Sequence, residues 1–290
     1  MSDYLIRVLT KNKQIRGLAI RSTKLVKKAQ QLHNATPVAT AALGRTLSAA
    51  AMMSIMEKYG KIGIKIIGNG PIKRIITEAD TNGHVRGYVG NPRIDLMINE
   101  QSKLDAKKAV GKGHLYIRKI MGLKEEYESK IELVSGEIGE DLTYYYTQSE
   151  QIPSAVGLGV LIDTDLSVRS AGGFILQLLP ETSDEIITKL EKNLKNVRSV
   201  SRLIEGGKTP EQLLDIVLKD FSYNITSKKE VKYKCNCNKE KSLEIIDTLS
   251  TEEIKQLLKE EGCVEITCHY CNTKYCYDKM YLQENLEREW

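Results

Sequence analysis

Thr36-Pro37-Val-Ala-Thr-Ala-Ala-Leu-Gly-Arg45-Thr-Leu-Ser-Ala-Ala-Ala-Met-Met-Ser-Ile-Met56 joins a helix start to small and apolar residues on nearly every side. Threonine is a favoured N-cap, and proline suits the first helical position, where an amide would lack a partner anyway. Arg45 is the lone charge before Glu57. A helix that is apolar nearly all round is buried on most faces. No stretch of the chain approaches the apolar run that a membrane span needs. The expectation is therefore a soluble protein with this helix sandwiched between β-sheets.

The flanking patterns supply both. Ser22 to Asn34 carries Leu25, Val26, Ala29 and Leu32 at helical spacing. From Gly63 onward the pattern turns to strands: Ile64–Ile67, Ile72–Glu78 and Val85–Val89, separated by the turns Gly68-Asn69-Gly70-Pro71 and Asp80–Gly83. Leu115–Met121, Ile131–Ser135, Val156–Ile162 and Gly172–Leu179 also read as strands, while Leu142–Tyr146 fits either a helix or a strand. The fold class is α+β, with a first domain over 1–179.

Catalytic groups are hard to find there. Gly68-x-Gly70 and Gly157-x-Gly159 lack the third glycine and the strand-to-helix setting of a nucleotide site, so turns and close packing are the expected roles. His33, His84 and His114 are isolated from one another, and a surface position is expected for such histidines. Glu137, Glu140 and Asp141 read as a solvated acidic turn first and as a metal-binding cluster second. No nucleophile–base pair stands out, and a non-enzyme is expected.

After Pro180 the character changes. Ile187, Leu190, Leu194 and Val197 repeat at helical steps, and Thr209-Pro210 opens a second helix striped with Leu213, Leu214, Val217 and Leu218. Residues 180–231 thus read as a helical linker. Helices this short depend on docking their apolar stripe. Either they cover the first domain and can be released from it, or they form a passive spacer.

All six cysteines lie in the last 56 residues. Cys235-x-Cys237 and Cys268-x-x-Cys271, thirty residues apart, have the composition of a four-thiolate zinc site. Residues i and i+2 of an extended segment share a face, so Cys235 and Cys237 can reach one metal together. Thiolate ligands are also what oxidants attack, which makes a redox switch and a purely structural zinc ribbon both open readings. Residues 232–290 hold 9 Lys/Arg against 12 Asp/Glu, a net of −3 within a chain of net +5. That acidity speaks against a nucleic-acid-binding ribbon. Ser250-x-x-Glu253 is a capping box, and Gly262 stops its helix. Cys263–Thr267 and Lys274–Asp278 then read as strands flanking the Cys268–Cys271 knuckle. The chain's start lacks a signal-peptide layout, so a reducing, cytoplasmic setting is expected.

Taken together, these residues resemble the redox-regulated heat shock protein 33 family of chaperones. The resemblance runs through Ala42-Leu-Gly-Arg-Thr46, Gly70-Pro-Ile72, Val85-Arg-Gly-Tyr-Val89 and Ser135-Gly-Glu-Ile-Gly-Glu-Asp141. It continues in Ser149-Glu-Gln151, Ala171-Gly-Gly-Phe174 and the cysteine pairs. It implies an ATP-independent holdase in which Cys235, Cys237, Cys268 and Cys271 bind one Zn2+ while reduced. Hypochlorous acid, or peroxide with heat, would form the disulfides Cys235–Cys237 and Cys268–Cys271 and release the metal. The zinc domain (232–290) and linker would then unfold and expose apolar surface to unfolded client proteins, with homodimerisation accompanying activation.

Cys263 and Cys276 depart from the four-cysteine pattern. They are equidistant from the centre of the Cys268–Cys271 knuckle, so a hairpin centred there would oppose them within reach of a disulfide. They are either a third oxidation-sensitive pair, able to compete with Cys268–Cys271 bonding, or two small buried side chains. His269 is expected to be exposed and not a ligand. Two other functions fit less well. A thiol–disulfide oxidoreductase would place Cys268-His-Tyr-Cys271 at a helix start after a strand, and a nucleic-acid ribbon would be basic.

Overall fold

The run that opens at Thr36 is a helix, Pro37–Ser54, and every residue in it except Pro37 and Arg45 is buried. The computed structural model containing it describes residues 2–98, 104–121 and 127–286. Its packing divides into two units, Met1–Lys234 and Cys235–Trp290.

In chain order the first unit comprises β1 (Tyr4–Thr10), β2 (Ile15–Arg21), α1 (Thr23–His33), α2 (Pro37–Ser54), β3 (Lys61–Gly68), β4 (Arg74–Asp80) and β5 (His84–Val89). There follow α3 (Ala106–Val110), β6 (Gly113–Ile120), β7 (Tyr127–Glu132), α4 (Ile138–Gln148), β8 (Ser154–Ile162) and β9 (Val168–Leu178). The unit ends with α5 (Asp184–Lys195), α6 (Val200–Glu205), α7 (Pro210–Val217), β10 (Tyr223–Glu230) and β11 (Lys232–Tyr233). One sheet has the order β10-β1-β2-β9-β8 and the other β11-β5-β4-β3-β6-β7. Neighbouring strands are antiparallel except for the short β11–β5 pair, which is parallel.

Helix α2 fills the space between the sheets, touching β3, β4 and β5 on one side and β2, β8 and β9 on the other. Its small residues permit that double contact. A Cβ on Gly44 would come within 2.6 Å of Val26 and 2.9 Å of Val160. Arg45, its one charge, makes an ion pair with Glu137. Gly68 and Gly70 also serve close packing, since a Cβ there would lie 2.0 Å from the Val110 carbonyl oxygen and 2.3 Å from that of Ala109. Among the described residues no helix is long and apolar enough to cross a membrane.

Several expectations are corrected by tertiary contacts. Thr36 does precede the helix, but its hydroxyl donates to the Pro92 carbonyl (3.2 Å) and does not cap. His33 is buried, its Nε2 3.0 Å from the Gly87 carbonyl oxygen. Leu142–Tyr146 lies in helix α4. The acidic turn is not solvated throughout: Asp141 is buried, and its Oδ1 accepts from the amides of Val134 (2.9 Å), Ser135 (3.0 Å) and Gly136 (3.3 Å). Burial pushes the Asp141 carboxyl up even so, against the pull of those amides. By drawing three amides toward itself, Asp141 ends β7 at Glu132, short of the expected Ser135.

Helix α1 is capped from outside its own sequence. Ser22 has no side-chain capping bond; its Oγ meets Ser48 Oγ at 2.7 Å. Asp3, just before β1, accepts from the Leu25 amide at 2.8 Å instead. Burial pushes that carboxyl from 3.8 up to about 6, outweighing the amides and the nearby Arg21 and Lys24. Because the folded value is raised, the protonated form favours folding. Its contribution is complete below the unfolded value near 4 and is lost as pH rises through about 6. Asp3→Asn keeps an acceptor for Leu25 and removes the titration. In urea titrations the variant should therefore gain on the parent between pH 4 and 6. The gain should level off above that at about 2–3 kcal/mol. A pH-independent difference would show that Asp3 does not titrate this way.

The segment expected to be a helical linker contains three helices and then a strand. Helices α6 and α7 lie on the five-stranded sheet's outer face, touching β8 and β9, and β1 and β2, respectively. A second core forms there from Ile6, Val8, Ile15, Phe174 and Leu176 of the sheet with Leu190, Val200, Ile204, Leu213, Leu214 and Val217 of the helices. The chain then returns as β10 to pair with β1, with Tyr4 opposite Glu230 and Thr10 opposite Tyr223.

Candidate metal centre

The second unit comprises α8 (Lys239–Ile246), α9 (Thr251–Glu261), β12 (Val264–Thr267), β13 (Lys274–Tyr277) and α10 (Lys279–Asn285). Its core is small: Ile246, Ile254, Val264, Tyr277, Leu282 and Leu286. The Ser250–Glu253 capping box closes both ways at the start of α9, and Gly262 ends that helix at φ +75°. The Tyr277 hydroxyl, inside this core, donates to the Lys239 carbonyl (2.9 Å) and contacts Ser242 Oγ.

Each cysteine pair sits where the local chain must turn. Cys235 and Cys237 occupy the segment just before α8, whose N-cap Asn238 accepts from the Lys241 amide at 3.0 Å. Cys268 and Cys271 occupy the tip between β12 and β13. There the Cys268 amide donates to Thr273 O (2.9 Å) and the Asn272 amide to Cys268 O (2.8 Å), with Asn272 at φ +55°. The knuckle therefore lies at a hairpin tip and not at a helix start, unlike the arrangement expected of a thiol–disulfide oxidoreductase.

The four sulfurs converge. Cys235 Sγ lies 3.7 Å from Cys268 Sγ, and Cys237 Sγ 3.3 Å from Cys271 Sγ. All four ligand atoms lie within 4.8 Å of one another. Zinc–sulfur bonds of about 2.3 Å in a tetrahedron put sulfurs about 3.8 Å apart, so the donor set fits such an ion with small adjustments. All four side chains are half-buried. His269 is exposed and stands outside the sulfur cluster.

Local chemistry divides the thiols. Burial is the largest influence on Cys235, Cys237 and Cys268 and pushes all three up. Burial also opposes ionisation of Cys271, but the Thr273 hydroxyl and amide and the Cys237 and Cys268 sulfurs outweigh it and bring the thiol down to about 7. Cys271 is thus the sulfur closest to thiolate at neutral pH. A thiolate is both the metal-binding and the oxidant-reactive form.

Sequence reasoning missed Tyr275. Its hydroxyl donates to Cys237 Sγ at 3.2 Å, across the gap between the two cysteine segments. The available signal was its position on β13, where alternation puts it on the same face as the buried Tyr277. Partners of ligating atoms commonly set metal affinity within a factor of 10–100. Tyr275→Phe should weaken metal binding by this candidate site about tenfold in a chelator competition. Unchanged affinity would mean that the hydroxyl does not help to hold Cys237.

The remaining two cysteines form a bridge, Cys263–Cys276, with Cα atoms 5.8 Å apart. They are not both buried, as one expectation had it: Cys263 is half-buried and Cys276 exposed. Nor are they directly opposed. Thr267 pairs with Lys274 and Glu265 with Cys276, so the hairpin is centred one residue beyond the midpoint of Cys268 and Cys271. Asn272 and Thr273 belong to the turn and cause the offset. A register change of two keeps both side chains on the same face, and the bridge runs diagonally.

Fold and site together define a two-unit α+β protein whose smaller unit brings four cysteine sulfurs close enough to hold a metal ion. The family model described as Hsp33 protein matches residues 3–278, and the chain belongs to that family. A protein named 33 kDa chaperonin from Thermoanaerobacter sp. (strain X514) is 45% identical over 289 residues, 99% of this chain and 98% of its own length. A second protein of that name, from Geobacillus kaustophilus, is 44% identical over 286 residues, 98% of this chain and 97% of its own. The crystal structure of the 33 kDa chaperonin (heat shock protein 33 homolog) from Thermotoga maritima superposes with a TM-score of 0.93 at 36% identity. It covers 98% of this chain and 97% of that one.

Proposed function

We propose that this chain is an ATP-independent holdase chaperone, not an enzyme, switched on by oxidation of Cys235, Cys237, Cys268 and Cys271. The observation that carries the reading is the pair of short amphipathic helices α6 and α7 laid over an apolar sheet face. Helices of 6 and 8 residues are not stable without that docking. Beneath them Ile6, Val8, Ile15, Phe174 and Leu176 form a ready surface for unfolded chains.

In the reduced protein a bound zinc ion would hold the four sulfurs as thiolates and supply most of the second unit's folding free energy. Oxidation of these thiolates to Cys235–Cys237 and Cys268–Cys271 passes two electrons per bond to the oxidant, whose reduced form takes its protons from water, and removes all four metal ligands. The small core of the second unit then lacks support. Strain on the chain passes directly to Lys234, whose amide donates to Val85 O at 3.0 Å, and to β11 and β10 before it. Release of β10 and the helices would uncover the apolar face and permit both client binding and homodimerisation. Membership of the Hsp33 family and the chaperonin relatives support this reading, as does the sulfur geometry; a cytoplasmic setting suits thiols kept reduced until stress.

Light scattering of a denatured client, with zinc release followed in parallel, tests it. Aggregation should be suppressed only after oxidation, with about one zinc lost per chain. Equal behaviour before and after oxidation would leave a structural zinc site without a switch.

A further inference from the structure

Cys263 and Cys276 take no part in the four-sulfur cluster, yet their bridge encloses half of it. The loop that the bridge closes spans 13 residues of separation and contains both Cys268 and Cys271. At one end Cys263 follows Gly262, the residue that terminates α9, so the bridge ties that helix end to β13. At the other end Cys276 is exposed, on the strand face opposite Tyr275 and Tyr277. An oxidant can therefore reach it from solvent without opening the metal centre. Cys276 also directly follows Tyr275, whose hydroxyl contacts Cys237 Sγ. The bridge thus fixes the strand that positions both the knuckle and this tyrosine.

We propose that Cys263 and Cys276 are a third redox couple, which closes while the four-sulfur site is intact and makes that site hold its metal more tightly. The proposal rests on the zinc reading given above. In the closing step two S–H bonds are lost and one S–S bond forms. The two electrons and two protons pass to a low-molecular-weight disulfide, which leaves as two thiols, or to hydrogen peroxide, which leaves as two waters. A closed loop reduces the freedom of the metal-free hairpin, so less ordering is needed to rebind the ion and more oxidant is needed to empty the site. The same four ligands then have two retention levels, set by mild oxidation at a separate pair. The bridge does not compete with Cys268–Cys271 bonding; it runs behind it on the hairpin.

The test uses the full zinc-loaded chain in glutathione buffers stepped from reducing to oxidising. Alkylation and non-reducing peptide mapping should find Cys263 linked to Cys276 before a chromogenic chelator detects free zinc. Bridged protein should then lose zinc to the chelator at least tenfold more slowly than Cys263→Ser/Cys276→Ser. Parent protein held reduced by a phosphine provides the same comparison with no substitution, and should match the double variant. Both thiols still alkylated when the metal has already left would overturn the proposal. Equal release rates for the bridged and open forms would overturn it alone, whereas a chain that binds no zinc in either state would overturn it together with the metal-site reading.

Discussion

Cys268→Ser is expected to cost the second unit its fold while the first keeps its own. Serine oxygen is a poor replacement for thiolate at a zinc site, and Cys268, a ligand in the proposed function, sits at the tip of the β12–β13 hairpin. The unit has fewer than 60 residues and one small core around Tyr277. A module of that size seldom folds on apolar burial alone, whereas zinc binding in comparable peptides contributes about 10–16 kcal/mol. Hydrogen exchange under reducing conditions, with the Cys263–Cys276 bridge open, gives the direct readout. Amides of α8, α9 and α10 should exchange within seconds in the variant, while those of α2 and β9 remain protected. Chelation of the parent protein's metal should reproduce the pattern. Persistent protection of α9 in the metal-free variant would show that the small core suffices, and that metal loss cannot be what unfolds this unit.

The four converging cysteines and the buried helix were readable in the sequence because each follows from spacing or composition along a continuous stretch. Helix α2 shows small and apolar residues all round, and it is buried all round. The Leu213, Leu214 and Val217 stripe of α7 shows its docking face directly. Strands were visible where one face is wet. In β4 and β5 every second residue is buried and those between are half-buried or, at Arg74, exposed. β2 carries no such signal, since it is covered by α2 on one side and by α7 on the other, and its residues from Gly17 to Ile20 are all buried. β10 fails for the opposite reason. Tyr-Asn-Ile-Thr-Ser-Lys-Lys-Glu is a largely exposed edge, held by backbone pairing to β1, and backbone pairing leaves no trace in side-chain pattern. The caps by Asp3 and Asp141 and the Tyr275 contact were hidden because they join residues brought together by folding. The hairpin register depended on Asn272 adopting a left-handed conformation, which moved the turn off the cysteines' midpoint.

Leu214→Asp is expected to turn the reduced, zinc-loaded protein into a client binder. Leu214 is fully buried in the core between α7 and the five-stranded sheet. The sheet is cut away beneath it: a Cβ on Gly17 would lie 3.5 Å from a Leu214 methyl and 2.9 Å from Val8. A carboxylate forced into that contact has no cation among the apolar residues of the cluster and costs several kcal/mol. A helix of 8 residues cannot absorb such a cost and stay docked. Undocking is therefore the expected response, and it bares Ile6, Val8, Leu176 and their neighbours without any change at the sulfurs. Three readouts separate this from general unfolding. Chelator-accessible zinc should be unchanged, amides of α6 and α7 should lose protection, and client aggregation should be suppressed under reducing conditions to a level approaching that of the oxidised parent. Lys219→Asp, on the exposed side just beyond α7, introduces the same carboxylate with a larger net charge change (−2 against −1) without entering the core and should leave the reduced protein inactive. If α6 and α7 are released in Leu214→Asp and clients still aggregate, the covered sheet face is not the client surface. The proposed route from oxidation to binding would then have to run through another part of the chain.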